Sequence, residues 1–226
     1  MKCLLLIHFF GAILISVTSN CPTNCDCSLS IGSVHCQAAE LNEFPPNIDP
    51  STTSLHLQYN HIPTLTKTKT NGLNRLKYLY MDGNSLGRID KDALCEMPNL
   101  VRLSLDNTNV SSLASRTFDC LGRLEELNLA RNSLTSLPAN AFFGLRKLKY
   151  LNLEGNKLSR LDKEMFSGLI RLQFLQISRN KITVLRSNIL SNLTQLQYLY
   201  LNANGMTFIH QMAFHGFKIW ISERID

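Results

Sequence analysis

The sequence predicts an α/β solenoid built from short stacked coils. Asparagine recurs every 24 residues, at Asn60, Asn84, Asn132, Asn156, Asn180 and Asn204, and Thr108 holds the one register without it. The pattern L-x-x-L-x-L-x-x-N leads into these positions, as in Leu124-Leu127-Leu129-Asn132 and Leu148-Leu151-Leu153-Asn156. Two apolar columns follow, one running from Ile62 to Met206 and the other from Leu65 to Ile209. The x-L-x-L-x stretch alternates with period two, so it predicts a short strand with leucines inward and the intervening residues outward. One such unit cannot bury its apolar columns alone, whereas stacked units bury them against their neighbours. Seven registers without an insertion require that stack.

The elements follow in chain order. Residues 1–19 predict a secretory signal peptide: Lys2, a run of mostly apolar residues from Leu4 to Ile15, then Val17-Thr18-Ser19 before a cut. The competing reading is a short buried helix. Removing Lys2 takes the formal charge from +6 to +5, which permits an anionic partner without demanding one. With 44% hydrophobic and 18% charged residues the chain is neither disordered nor fibrous. Beyond the first twenty residues no apolar run approaches the roughly 18 needed to cross a bilayer, so no transmembrane segment is predicted.

Residues 20–50 read as a cysteine-rich cap. Cys3 leaves with the signal, and Cys21, Cys25, Cys27 and Cys36 form C-x3-C-x-C-x8-C. An even cysteine count in an exported chain argues for disulfides. Structural zinc usually takes separated C-x2-4-C pairs, and an oxidising lumen opposes thiolate ligands. Residues 51–217 hold seven 24-residue repeats and the start of an eighth. Asn suits the turn after each strand because its amide both donates to and accepts from backbone groups. Thr108 offers only a hydroxyl, which predicts a looser ladder there. Phe118, Phe142, Phe166 and Phe214 form a column on the far side, where Thr70 makes the first repeat the least well packed. Cys95 and Cys120 sit on that side of adjacent coils, close enough in expectation for a bridge; two buried free thiols are the alternative. Residues 218–226 are a non-repeat tail without a four-cysteine C-terminal cap.

These residues resemble the leucine-rich repeat family, in its 24-residue class from animal extracellular proteins. The four-cysteine block followed by Phe44-Pro45-Pro46-Asn47-Ile48 is similar to that family's N-terminal cap. Slit-like guidance proteins, chondroadherin-like matrix proteins and the repeat region of peroxidasin share the pattern. The resemblance implies a right-handed horseshoe with a concave parallel β-sheet and an irregular or short-helical convex side. It also implies pairing of Cys21 with Cys27 and of Cys25 with Cys36.

On that horseshoe the outward strand residues line the concave face. They include Tyr78, Tyr80, Arg102, Glu126, Tyr150, Phe174, Tyr198 and Tyr200, so five of the six tyrosines in the chain fall here. Tyrosine suits strands in any case, but a restriction to one face points to a protein-binding surface, where large rigid amphipathic side chains are favoured. Lys77, Arg102, Arg131, Lys149 and Arg179 balance Asp82, Asp106, Glu125, Glu126 and Glu154, so the one-sided basic field of a nucleic-acid groove is missing. Arg75, Arg123, Lys147 and Arg171, each just before a strand, form a basic rim that suits a sulfated glycosaminoglycan, or simply a solvated edge. Two sequons begin at Asn109 and Asn192, and the convex position of Asn192 makes it the favoured glycosylation site. No catalytic motif occurs, and His210 with His215 lacks a carboxylate partner for metal. The expected function is secreted extracellular protein recognition in adhesion, guidance or matrix binding, with no cofactor. The alternative is the N-terminal part of a receptor ectodomain or of a peroxidasin-like extracellular enzyme.

Overall fold

The computed structural model describes residues 21–28 and 32–214. The expected signal segment, the eighth repeat beyond Phe214 and the 218–226 tail lie outside the described residues.

A hairpin opens the fold: β1 (Asp26–Ser28) pairs antiparallel with β2 (Ser33–His35). From β2 onward every pairing is parallel. β3 (Ser54–His56), β4 (Tyr78–Tyr80), β5 (Arg102–Ser104), β6 (Glu126–Asn128), β7 (Tyr150–Asn152) and β8 (Phe174–Gln176) follow in order. β9 (Val184–Leu185) lies off this sheet, and β10 (Tyr198–Tyr200) closes it next to β8. β11 (Phe208–Ile209) pairs in parallel with β9. The register is the sequence period itself: Leu55, Leu79, Leu103, Leu127, Leu151, Leu175 and Leu199 stand opposite one another and are buried.

The asparagines tie coil to coil. Asn156 Nδ2 donates to the carbonyls of Leu129 (2.9 Å) and Leu153 (3.1 Å), while its Oδ1 accepts from the Leu134 N–H at 3.0 Å. One side chain thus satisfies three buried backbone groups. Asn84, Asn180 and Asn204 repeat the arrangement. Asn60 extends it to the cap, donating to Cys36 O at 2.7 Å and accepting from the N–H groups of Ala39 and Leu41. Thr108 Oγ1 reaches only Leu105 O (2.8 Å) and Asn132 Oδ1 (3.2 Å), so the links that an asparagine would make to Met81 O and Leu86 N–H are missing. The chain turns differently there: Gly87 takes φ +62° and donates to Thr108 O at 3.2 Å.

The side opposite the sheet carries turns and short helices, α1 (Lys67–Thr70), α2 (Lys91–Cys95) and a 3-10 turn over Lys163–Phe166. Phe118, Phe142 and Phe166 are fully buried there. Thr70, expected to weaken this column, is buried without an orphaned hydroxyl: Oγ1 donates to Ala93 O at 3.0 Å in the next coil. Disulfides join Cys21 to Cys27 and Cys25 to Cys36 in the cap, with Cα separations of 5.7 and 4.4 Å. A third joins Cys95 to Cys120 across adjacent coils, Cα to Cα 5.0 Å.

Candidate protein-interaction face

Each strand sends its central leucine inward, so the flanking residues stand on the sheet's open face in two rows 24 residues in pitch. The first row runs Ser54, Tyr78, Arg102, Glu126, Tyr150, Phe174 and Tyr198; the second runs His56, Tyr80, Ser104, Asn128, Asn152, Gln176 and Tyr200. All eight residues assigned to the face by periodicity, from Tyr78 to Tyr200, stand in these rows.

Their chemistry divides the face into three. At the N-terminal end His35 stacks on His56 with ring centroids 4.4 Å apart, and His56 stacks on Tyr80 at 4.8 Å. Ser33 Oγ and Ser54 Oγ hold the two Nε2 atoms at 2.8 and 2.9 Å. Burial, and then the neighbouring His35, push the His56 pKa below its ordinary value of 6.5. At the C-terminal end Tyr150 stacks on Phe174 at 4.7 Å, and Phe174 meets Tyr200 at 5.0 Å and Tyr198 at 5.9 Å. Burial, then the Glu126 and Glu154 carboxylates, raise the Tyr150 phenol above its usual range, so it stays neutral and able to donate. Such ring pairs contribute about 0.5–1.5 kcal/mol each beyond the area they bury.

The middle is polar, and most of its charges are paired. Arg102 donates to Glu126 at 2.6 Å and to Tyr80 Oη at 3.4 Å. Asp106 is bound by Arg131, whose Nε reaches Oδ1 at 2.8 Å, and Asp82 accepts from Ser104 Oγ and from the Asp106 N–H. Lys149 with Glu125 (2.7 Å) and Arg179 with Glu154 (3.3 Å) complete the set. Four of the five cations balanced against acids in the sequence therefore meet one of those same acids. The basic rim differs: Arg75, Arg123, Lys147 and Arg171 are exposed and take part in none of the ion pairs among the described residues.

Periodicity missed three features of this face. The cap contributes to it, because β2 pairs with β3 and places His35 beside His56. The echo of Ser54-Leu55-His56 in Ser33-Val34-His35 was the available signal. The residue before each ladder position adopts left-handed backbone, at Tyr59, Gly83, Asn107, Arg131, Gly155, Arg179 and Ala203. Tyr59, with φ 58° and 71% exposed, is one of them. Its ring lies over Gly83, where a Cβ would come within 2.7 Å of Tyr59 Cδ1. Glycine at 83 thus accommodates both the backbone and the ring. The third feature is the 25-residue reach of Arg131 and Arg179 from this column back to their acids.

Away from the face, the order expected for the two sequons is reversed in accessibility. Asn109 is exposed beside an exposed Ser111, whereas Asn192 is half-buried and its Nδ2 donates to Lys163 O at 3.3 Å. His210 Nδ1 accepts from the Met212 N–H at 3.1 Å, a local turn contact; His215 lies outside the described residues. Among the described residues no group of three His, Cys, Asp or Glu could hold a metal ion, and no helix is long and apolar enough to cross a membrane.

The profile of the leucine rich repeat family matches residues 50–110, 98–158, 155–206 and 170–218. Similar proteins include opticin from Mus musculus, 34% identical over 41% of this chain and 28% of its own length. Reticulon-4 receptor-like 2 from Rattus norvegicus is 37% identical over 48% of this chain and 26% of its own. Leucine-rich repeat-containing protein 3B from Homo sapiens is 32% identical over 53% and 47%. The chain thus spans between about a quarter and a half of the length of the curated relatives it matches. An internalin C2 from Listeria monocytogenes shares the fold, with a TM-score of 0.67 at 21% identity over 85% of this chain and 80% of that one. The chain belongs to the leucine-rich repeat family, and its disulfide-closed N-terminal cap places it with the extracellular members.

Proposed function

We propose that the chain is a secreted module that recognises an extracellular protein in adhesion, guidance or matrix binding, through the face bearing Tyr78, Tyr80, Arg102, Glu126, Tyr150, Phe174, Tyr198 and Tyr200. The observation that carries this reading is the exposure of aromatic rings on a rigid sheet: Tyr198 is 44% and Tyr78 38% exposed at strand positions held from behind by buried leucines. Rings fixed in this way lose little conformational freedom on binding, which favours them as anchors. Affinity capture from extracellular material tests it. The triple variant Tyr78→Ala/Tyr150→Ala/Tyr198→Ala loses the captured protein; unchanged capture removes the face from the account.

The basic rim supports a second contact, to a sulfated glycosaminoglycan, since Arg75, Arg123, Lys147 and Arg171 have no carboxylate partner among the described residues and a linear polyanion can follow a linear row of cations. The protein is expected to stay on heparin resin at physiological salt, and elution below it would dispose of this contact. Asn109 is the better exposed of the two proposed glycosylation sites.

A further inference from the structure

The aromatic rings of the sheet face do not form one continuous strip. One stack ends on β4 with Tyr80 and the other begins on β7 with Tyr150. β5 and β6 lie between them, carrying Arg102 bound to Glu126 at 2.6 Å. Three inter-strand steps of about 4.8 Å separate the stacks by about 14 Å, and an extended chain covers that distance in about four residues. The backbone groups of β4 to β7 pair with neighbouring strands, so an occupant of this face is held by side chains rather than by joining the sheet. Arg102 and Glu126 already pair with each other, so a charged residue directly above them would lose water without gaining a free partner.

We infer that the face takes an extended protein segment laid across the strands, with two apolar side chains about four residues apart and uncharged residues between them. This rests on the protein-recognition reading above and specifies its partner. One anchor packs against the His56–Tyr80 stack and the other against the Tyr150–Phe174 stack. Arg102 and Glu126, paired with each other, lie under the uncharged residues between the two anchors.

The test is selection of a phage-displayed library of random 12-residue peptides on the immobilised full chain. Enriched peptides are expected to share two apolar positions separated by three to five residues. Their synthetic forms should bind at least tenfold more weakly to Tyr80→Ser and to Tyr150→Ser, each checked by circular dichroism for intact fold. Dependence on one stack alone overturns the two-anchor proposal and leaves the face as a binding surface. Peptides indifferent to both stacks overturn the proposal and the face together. Recovery of no peptide, with binding instead to oligosaccharides on a glycan array, assigns the rings to sugar stacking and also overturns it.

Discussion

The junction that carries Asn156 and the one that carries Thr108 are the same structural joint solved in two ways. At Asn156 a single amide gathers three backbone groups from adjacent coils. At Thr108 the hydroxyl closes its own coil through Leu105 O, and the two links to the preceding coil are gone. That preceding coil turns at Gly87, and on the far side it is tied to the Thr108 coil by Cys95–Cys120. The difference teaches that a coil junction can be held from either side, by hydrogen bonds within the coil or by a covalent tie behind it.

The largest effect should come from cutting that tie. Cys95→Ser/Cys120→Ser is expected to cost about 3 kcal/mol, from the loop-closure entropy of the chain the bridge encloses. Thermal unfolding with and without reductant checks it, and the double variant should lose its response to mild reduction at this site. Next comes Asn156→Ala, which leaves buried carbonyls and an amide without partners; about 2 kcal/mol is expected by urea unfolding. An equal loss from both changes would say that neither side of the joint dominates.

Most of this architecture was legible because a period of 24 residues turns a non-local contact into an arithmetic one. Once Leu127 is placed opposite Leu151, every other register follows. Legibility stopped where contacts leave the period. The cap hairpin joins the sheet at a spacing of 21 residues, from Ser33 to Ser54, so its His35 fell outside the column. The left-handed residues at Tyr59, Arg131 and Arg179 were hidden because only Gly83, Gly155 and Asn107 in that column are of types that favour such backbone. Their side-chain directions, and with them the Arg131–Asp106 and Arg179–Glu154 pairs, depend on that dihedral angle rather than on residue order.

A smaller change sharpens the comparison of junctions. Thr108→Asn should restore the links to Met81 O and the Leu86 N–H and stabilise the chain by up to about 1 kcal/mol. The gain should be greater in the Cys95→Ser/Cys120→Ser background, because the two ties serve one joint. A double-mutant cycle reads the coupling, and strict additivity would separate them.

The smallest effect concerns the junction between cap and first coil. The His56 pKa lies below its unfolded value, so the unfolded chain takes up a proton first as the pH drops. Stability is therefore full above about pH 6.5 and declines as the pH falls from there through the folded pKa. His56→Gln should flatten that part of the melting-temperature profile, while Asn156→Ala leaves its shape unchanged.

The most direct measurement of the recognition face is surface iodination of the tyrosines, with and without saturating amounts of the protein recovered by affinity capture. The account predicts that bound partner shields the exposed rings of Tyr78 and Tyr198. Unaltered labelling of those two tyrosines in the complex would contradict it.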